Sequence, residues 1–245
     1  MGSILMGFAH GGHQQTVAAA SQRNAVLALK DRGVLAGCVD LYTYRADYNR
    51  NKIVEKLLAM PADCTWLGML DDDVIPHKDA LVKQWERAEL SGADVFCALV
   101  FQGNGYPNVF NVHVGLAVAE YGRMTPSFEF ALNPVYGWLE EFSMWDKTPP
   151  WCMDQPSETS LLQIAAAGTA GMFIHRRLLE RMTPPWFNFE YGSSEDVYFC
   201  DKARVFNPRM LVDLSICHGH LREKCVGPRA FKQVVDKLNQ EDENS

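Results

Sequence analysis

Apolar segments of strand length alternate with segments of helical period over about the first hundred residues, and this alternation sets the fold class. Strands are predicted at residues 4–9, 34–44, 65–70 and 94–101, with helices at 17–30 and 49–60 and another helix after Pro76. Such alternation predicts a mostly parallel sheet flanked by helices on both faces, an α/β fold. Ligands of such sheets bind beyond the carboxyl ends of the strands, so functional residues are expected there.

The second half of the chain begins with a change of pattern. Residues 102–158 are rich in glycine, proline and aromatic residues, with weak strand-like alternation only near 112–118. Long irregular segments within a compact domain are typically binding loops or lids. A strand and a helix are predicted again over 165–181, a helix over 195–205 and a final strand over 210–216, whereas the polar tail 239–245 is expected to fray.

Composition excludes several classes of protein. Hydrophobic residues make up 47% of the chain and charged residues 22%, which is ordinary for a globular protein. The net charge of −7 argues against an extended nucleic-acid surface, which needs many lysines and arginines. The apolar runs are shorter than the roughly 18–20 residues of a membrane span, and no secretion signal is recognisable. Seven scattered cysteines without a CxxC pair indicate reduced thiols, so we expect a soluble, cytoplasmic protein.

The segment Asp71-Asp72-Asp73 follows the apolar strand predicted at 65–70. Adjacent carboxylates repel one another unless a cation or hydrogen-bond donors compensate them. Carboxylate oxygens suit a hard divalent ion, Mg²⁺ or Mn²⁺, whose shell is often completed by substrate phosphates. The alternative is an acidic turn at the start of the helix after Pro76.

Two further groups carry possible chemistry. Glu195 and Asp196 open a predicted helix, where a carboxylate beside a pocket could deprotonate a hydroxyl; alternatively, Asp196 and Ser193 have the spacing of a capping box. His218 and His220 stand at the end of the last predicted strand, where a period of two places them on one face as candidate metal ligands. The remaining histidines, at 10, 13, 77, 113 and 175, are interpreted as structural.

Four segments in this order resemble glycosyltransferases of the GT-A fold, most nearly the family 2-like group, over residues 4–221. They are Arg50-Asn51; the DxD element Asp71-Asp72-Asp73 with Pro76; residues 168–177 leading to 185–187; and residues 194–200 with the final 219–221. The resemblance implies one catalytic domain over 1–238, with a nucleotide-binding half (1–101) and a loop-rich, acceptor-side half (102–238). It also implies transfer of a sugar from a nucleotide-diphosphate donor, a UDP- or GDP-sugar, to the hydroxyl of an unknown acceptor.

The resemblance also implies roles for single residues. Asp73 and His220 would bind Mn²⁺ or Mg²⁺, with Asp71 reaching the ribose or a metal-bound water and His218 as a substitute ligand. Asp72 is placed with Asp71 in the nucleotide-sugar site. Asp196 would be the general base and Glu195 would bind acceptor or donor sugar.

Three further sites follow from the same resemblance, each with a structural alternative. Arg50 would bind the nucleotide phosphates, or else be a solvated helix residue. Gly168 and Gly171 would let the backbone approach the sugars, or else form a simple turn. Trp186 would stack on an acceptor sugar, or else fill the core.

Other functions remain open at this stage. A haloacid dehalogenase-type phosphohydrolase also places a DxD after an apolar strand, but it wants Thr or Val where Ile75 stands and usually uses the first strand. A Mg-dependent nucleotidyltransferase would want a glycine-rich basic loop after the first strand, for which residues 10–13 are a poor substitute. A non-catalytic sugar-nucleotide-binding module of the same fold is the third alternative.

Overall fold

The structure is a computed structural model, and it describes residues 2–10, 16–43, 45–100, 109–110, 161–189, 194–221 and 225–226. Most of the segment 102–158, including the strands predicted near 112–118, lies outside the described residues. So do the predicted tail and the predicted end of the domain at residue 238.

The first part of the chain follows the predicted alternation closely. Its elements are β1 (Ser3–His10), α1 (Thr16–Asp31), β2 (Leu35–Tyr42), α2 (Ala46–Leu58), β3 (Cys64–Asp71), β4 (Val74–Ile75), α3 (Ala80–Ser91) and β5 (Val95–Val100). The helix predicted after Pro76 therefore begins at Ala80.

The described second part consists of shorter elements. They are β6 (Val109–Phe110), β7 (Leu161–Gln163), β8 (Ala166–Ala167), a 3₁₀ turn (Thr169–Gly171), β9 (Met172–His175), α4 (Arg176–Leu179), α5 (Glu195–Arg204), β10 (Met210–Leu221) and β11 (Cys225–Val226). The strand predicted at 210–216 is five residues longer in the structure. His218 and His220 therefore lie within β10.

Nine of the described strands form one sheet with the main order β11-β10-β5-β9-β3-β1-β2, while β4 and β7 also pair with β10. β1 is parallel to β2 and β3, and β5 is parallel to β10. β9 lies between β3 and β5 and runs antiparallel to both. Strands β1, β2, β3, β5 and β10 therefore all point the same way. The sheet is thus mixed, with parallel strands at its centre interrupted by β9.

Helices cover both faces of this sheet. One hydrophobic cluster packs α1 and α3 against the sheet through Leu29, Leu81 and Trp85. The other packs α2, α4 and α5 through residues such as Ile53 and Phe199. The described chain therefore has three layers, helices–sheet–helices. Among the described residues, each helix is too short or too polar for a membrane span.

Candidate functional site

An open pocket of about 290 Å³ lies at the carboxyl ends of the parallel strands. The strand order places β2 and β3 on opposite sides of β1, which creates the switch point where ligands of such sheets bind. Six of the residues predicted for the site line it together: Arg50, Asp71, Asp72, Asp73, Glu195 and His220. The other described lining residues are Ala9, His10, Thr43, Ala46 and Asn49.

The aspartate turn, residues 71–73, is joined to the end of β10. β4, directly after the turn, pairs antiparallel with β10, so that Val74 is opposite His220. The backbone N–H of Leu221 donates to the carbonyl oxygen of Asp73 at 2.7 Å. The imidazole Nε2 of His220 lies 2.9 Å from Oδ2 of Asp73, so residues 147 positions apart meet at the pocket.

Arg50 connects three elements at the base of the pocket. Its guanidinium donates to Oδ1 of Asp71 at 2.8 Å and forms a second ion pair with Glu195 at the start of α5. The Arg50 side chain is only 6% exposed. The solvated position considered from the sequence is therefore wrong, and the guanidinium is held between two carboxylates.

The pocket has an excess of negative charge. Four carboxylates line it, from residues 71, 72, 73 and 195, whereas Arg50 is the one described lining residue with a permanent positive charge. Burial in the recess raises the pKa of Asp71 from its ordinary value, although its side chain is 30% exposed; the pairing with Arg50 opposes that shift. The described pocket is therefore suited to attract a cation.

The donor set fits a partly formed divalent-metal site. Asp73 and His220 offer a carboxylate oxygen and an imidazole nitrogen side by side, whereas Asp71 is engaged by Arg50. A carboxylate with an imidazole suits Mn²⁺ better than Mg²⁺, which prefers oxygen ligands alone. Within the described ranges, no three histidine, cysteine, aspartate or glutamate side chains form a ready-made metal cluster. A bound ion would need ligands from substrate or water.

Asp196 lies next to the pocket at the start of α5. Its Oδ1 accepts hydrogen bonds from the backbone N–H of Val197, at 2.8 Å, and from the hydroxyl of Ser194. Ser194 stands at the N-cap position of α5 without a side-chain capping hydrogen bond, while Ser193 lies outside the described residues. Glu195 lines the described pocket, whereas its neighbour Asp196 is not among the described lining residues.

His218 and the glycines of the 168–171 segment are not among the described lining residues of the pocket. His218 is fully buried, its Nε2 lies 3.2 Å from Oε1 of Gln84, and burial lowers its pKa to about 4. Gln84 also donates to the carbonyl oxygen of Gly171 at 2.9 Å. A Cβ on Gly171 would approach the His218 ring to 2.8 Å, so close packing requires glycine there. Gly168 precedes the 3₁₀ turn, and neither glycine is among the described lining residues.

Trp186 occupies the core. Its side chain belongs to a hydrophobic cluster, the residue is 5% exposed, and its Nε1 donates to the carbonyl oxygen of Leu179 at 3.1 Å. Asn51 fixes the adjacent backbone, since its Oδ1 accepts from the N–H groups of Trp186 and Phe187. In this position Trp186 fills the core, the alternative considered from the sequence, and it is not among the described lining residues of the pocket.

His10 lines the pocket, although it was interpreted as structural from its place in the sequence. It is the last residue of β1, its Nε2 lies 3.3 Å from Oδ1 of Asp40, and its ring stacks on Tyr42 with centroids 4.3 Å apart. The available signal was its position at the end of the first strand of a β-α-β unit, because that edge of the sheet forms the pocket.

Comparison with known proteins finds a solved structure of similar fold. No family model matches the chain, and no curated protein matches it. Among solved structures, A197 from STIV is 18% identical with a TM-score of 0.57, over 90% of this chain and 86% of that one. TarS 1–349 from S. aureus in complex with UDP-GlcNAc is 14% identical with a TM-score of 0.43, over 89% of this chain and 57% of that one. The likeness to A197 concerns the fold alone, and the likeness to TarS is too weak to bear on function.

Proposed function

We propose that this protein is a metal-dependent glycosyltransferase of the GT-A type, which moves a sugar from a nucleotide-diphosphate donor to an acceptor hydroxyl. The observation that carries the proposal is the convergence of Arg50, the aspartate turn, Glu195 and His220 on one pocket. These residues come from four separate segments of the chain. Their meeting at the carboxyl ends of parallel strands fits a site for a phosphorylated ligand.

The charge of the pocket supports a role for a divalent cation. A nucleoside diphosphate is an anion, and four carboxylates would repel it unless a cation came between them. Asp73 and His220 are the proposed ligands, and their spacing allows both to face one ion. When bound, Mn²⁺ or Mg²⁺ would stabilise the negative charge of the departing diphosphate as a Lewis acid.

The proposed transfer breaks the bond between the anomeric carbon and the phosphate oxygen and forms a bond from that carbon to the acceptor oxygen. The nucleoside diphosphate leaves with the electrons of the broken bond, and the acceptor hydroxyl gives up its proton. Asp196 is the proposed base for that proton if the reaction inverts the anomeric centre. Glu195 is proposed to hold the sugars from its place on the pocket wall, with Arg50 directing its carboxylate.

Turnover of nucleotide sugars tests this proposal. UDP-, GDP- and dTDP-sugars are incubated with the protein and either Mn²⁺ or EDTA, and released nucleoside diphosphate is measured. We expect one donor to be consumed with Mn²⁺ and none with EDTA. Asp73→Asn should lower the rate by about 100-fold, because it weakens a metal ligand. Asp196→Asn should lower it by roughly 10²- to 10⁴-fold if Asp196 is the base.

Asp79→Asn is the matched control. Asp79 follows the same turn, but its side chain is 51% exposed and it does not line the described pocket. Its rate should equal that of the unaltered protein. A folded protein that consumes no donor, or an Asp73→Asn variant with an unchanged rate, would contradict the proposal.

A further inference from the structure

Gln22, a residue of α1, reaches the backbone of the aspartate turn. Its Nε2 donates to the carbonyl oxygen of Asp71 at 2.8 Å and to that of Val74 at 2.9 Å. The residue is 2% exposed, and it is absent from the described lining of the pocket. One buried amide thus holds both ends of the segment that contains Asp72 and Asp73.

The neighbouring residue extends the same attachment. The hydroxyl of Ser21 donates to the carbonyl oxygen of Pro76, two residues beyond Val74. Consecutive side chains of α1 therefore hold the backbone over residues 71–76. Helix α1 thus contacts the backbone of the turn. The aspartate side chains are held from other elements, by Arg50 of α2 and His220 of β10.

The need for this attachment follows from the charge of the turn. Adjacent carboxylates repel one another, which favours conformations that spread them apart. Carbonyl groups that are buried without a donor are costly, so the paired carbonyls of Asp71 and Val74 resist such a rearrangement. The backbone contacts of Gln22 can therefore keep the carboxylates directed to the pocket.

We propose that Gln22 is a positioning residue, which sets the geometry of the aspartate turn for cation binding without touching the cation. The proposal about binding rests on the proposed function, because it assumes that the turn holds a divalent ion. The proposal about the backbone does not, since it concerns the order of residues 71–76 in the ligand-free protein. The two parts can be measured separately.

The main variant is Gln22→Met, which keeps the length of the side chain and removes its donors. Amide hydrogen exchange followed by mass spectrometry, on peptides covering residues 70–76, reports the order of the turn. Titration with Mn²⁺ alone, followed by the electron paramagnetic resonance signal of free Mn²⁺, reports cation binding. We expect faster exchange in those peptides and an Mn²⁺ affinity lower by about tenfold, as for other residues that orient metal ligands.

Arg176→Met is the matched control for lost stability. Arg176 donates to carbonyl oxygens at the end of α2 and directly after it, and none of these acceptors lines the described pocket. This variant should lower the unfolding midpoint while it leaves Mn²⁺ affinity and exchange at 70–76 unchanged. Gln22→Asn keeps the amide on a shorter side chain and should give an intermediate loss of affinity. It also preserves the test if Gln22→Met does not fold.

Each outcome has a defined meaning. If Gln22→Met binds Mn²⁺ within twofold of the unaltered protein, or if Arg176→Met loses affinity equally, Gln22 has no positioning role in binding. If exchange at 70–76 does not change, the backbone part is also wrong. If the unaltered protein binds no Mn²⁺, the metal site of the proposed function fails and the positioning role in binding falls with it. The exchange measurement then still decides whether Gln22 orders the turn.

Discussion

Arg50 is the single residue that most affects the balance of charge in the described pocket. Its guanidinium is buried and pairs with Asp71 from β3 and with Glu195 from α5. The charge of Asp71 depends on it, because burial disfavours the charged form of that carboxyl and the adjacent guanidinium favours it. Arg50 thereby links the metal side of the proposed site to its sugar side.

Arg50→Met should lower the free energy of unfolding by roughly 3 kcal/mol at pH 7, because it leaves carboxylates without a partner in a recessed site. The same change should raise the pKa of Asp71 further above its ordinary value. A carboxyl with a raised folded-state pKa binds its proton more readily when folded, so stability falls as pH rises through that window. The loss in free energy of unfolding caused by Arg50→Met should therefore be smaller at pH 5 than at pH 7, as measured by urea unfolding.

Asp71→Asn provides the control for this coupling. In that background Arg50→Met removes only the pairing with Glu195, so its penalty should be smaller than in the unaltered protein. Equal penalties in both backgrounds would show that Arg50 and Asp71 are not coupled, contrary to the distance of 2.8 Å between them.

The residues of the pocket were predictable to different degrees. Asp71, Asp73 and His220 stand where strands end, and the carboxyl ends of parallel strands share one edge. The partners of Arg50 were not predictable, because contacts between α2 and α5 depend on how the helices pack. Trp186 was ambiguous for a similar reason, since stacking on a sugar and filling a core require the same large aromatic side chain.

Arg176 stabilises the C-terminal end of helix α2. Its guanidinium donates to four carbonyl oxygens that follow or end α2, those of Leu57, Leu58, Met60 and Pro61, at 2.9–3.3 Å. The last carbonyl groups of a helix have no partner within it, so a positively charged fork there satisfies several at once.

Arg176→Met should lower the free energy of unfolding by about 2–3 kcal/mol, because charge-assisted hydrogen bonds are lost while water replaces only part of them. Thermal or urea unfolding measures this loss. Arg23→Met is the control, since Arg23 is exposed on α1 and such surface substitutions cost no more than about 0.5 kcal/mol. A loss no larger for Arg176→Met than for Arg23→Met would contradict the assigned role.

Elements with a strong local pattern were predicted well. Strands β1, β2, β3 and β5 and their connecting helices lie within a few residues of the predicted positions, because each carries its own periodicity. The two-residue strand β4 was not predicted. The antiparallel course of β9 between β3 and β5 was not predicted, since strand direction depends on the path of the chain through space. The extra length of β10 was missed because Cys217-His218-Gly219-His220 lacks an apolar strand pattern, and pairing with β4 and β11 extends it.

At the scale of the whole molecule, the fold brings distant parts of the chain to one pocket. Strands β2 and β3 lie on opposite sides of β1, which forms the pocket at the carboxyl ends of these strands. Helix α1 holds the backbone of the aspartate turn, and β10 places His220 beside Asp73, which is 147 positions earlier in the chain. The central claim is that this pocket binds a nucleoside diphosphate through a divalent cation.

Thermal unfolding with UDP, GDP or dTDP, each with Mn²⁺ or with EDTA and beside an Mn²⁺-only sample, tests that claim most directly. A ligand that binds the folded state alone raises the unfolding midpoint, by roughly 5–10 °C when present at about 100 times its dissociation constant. We expect one nucleotide to raise the midpoint only with Mn²⁺, and Asp73→Asn to abolish that shift. No shift with any nucleotide, or an equal shift in EDTA and in Asp73→Asn, would contradict the claim.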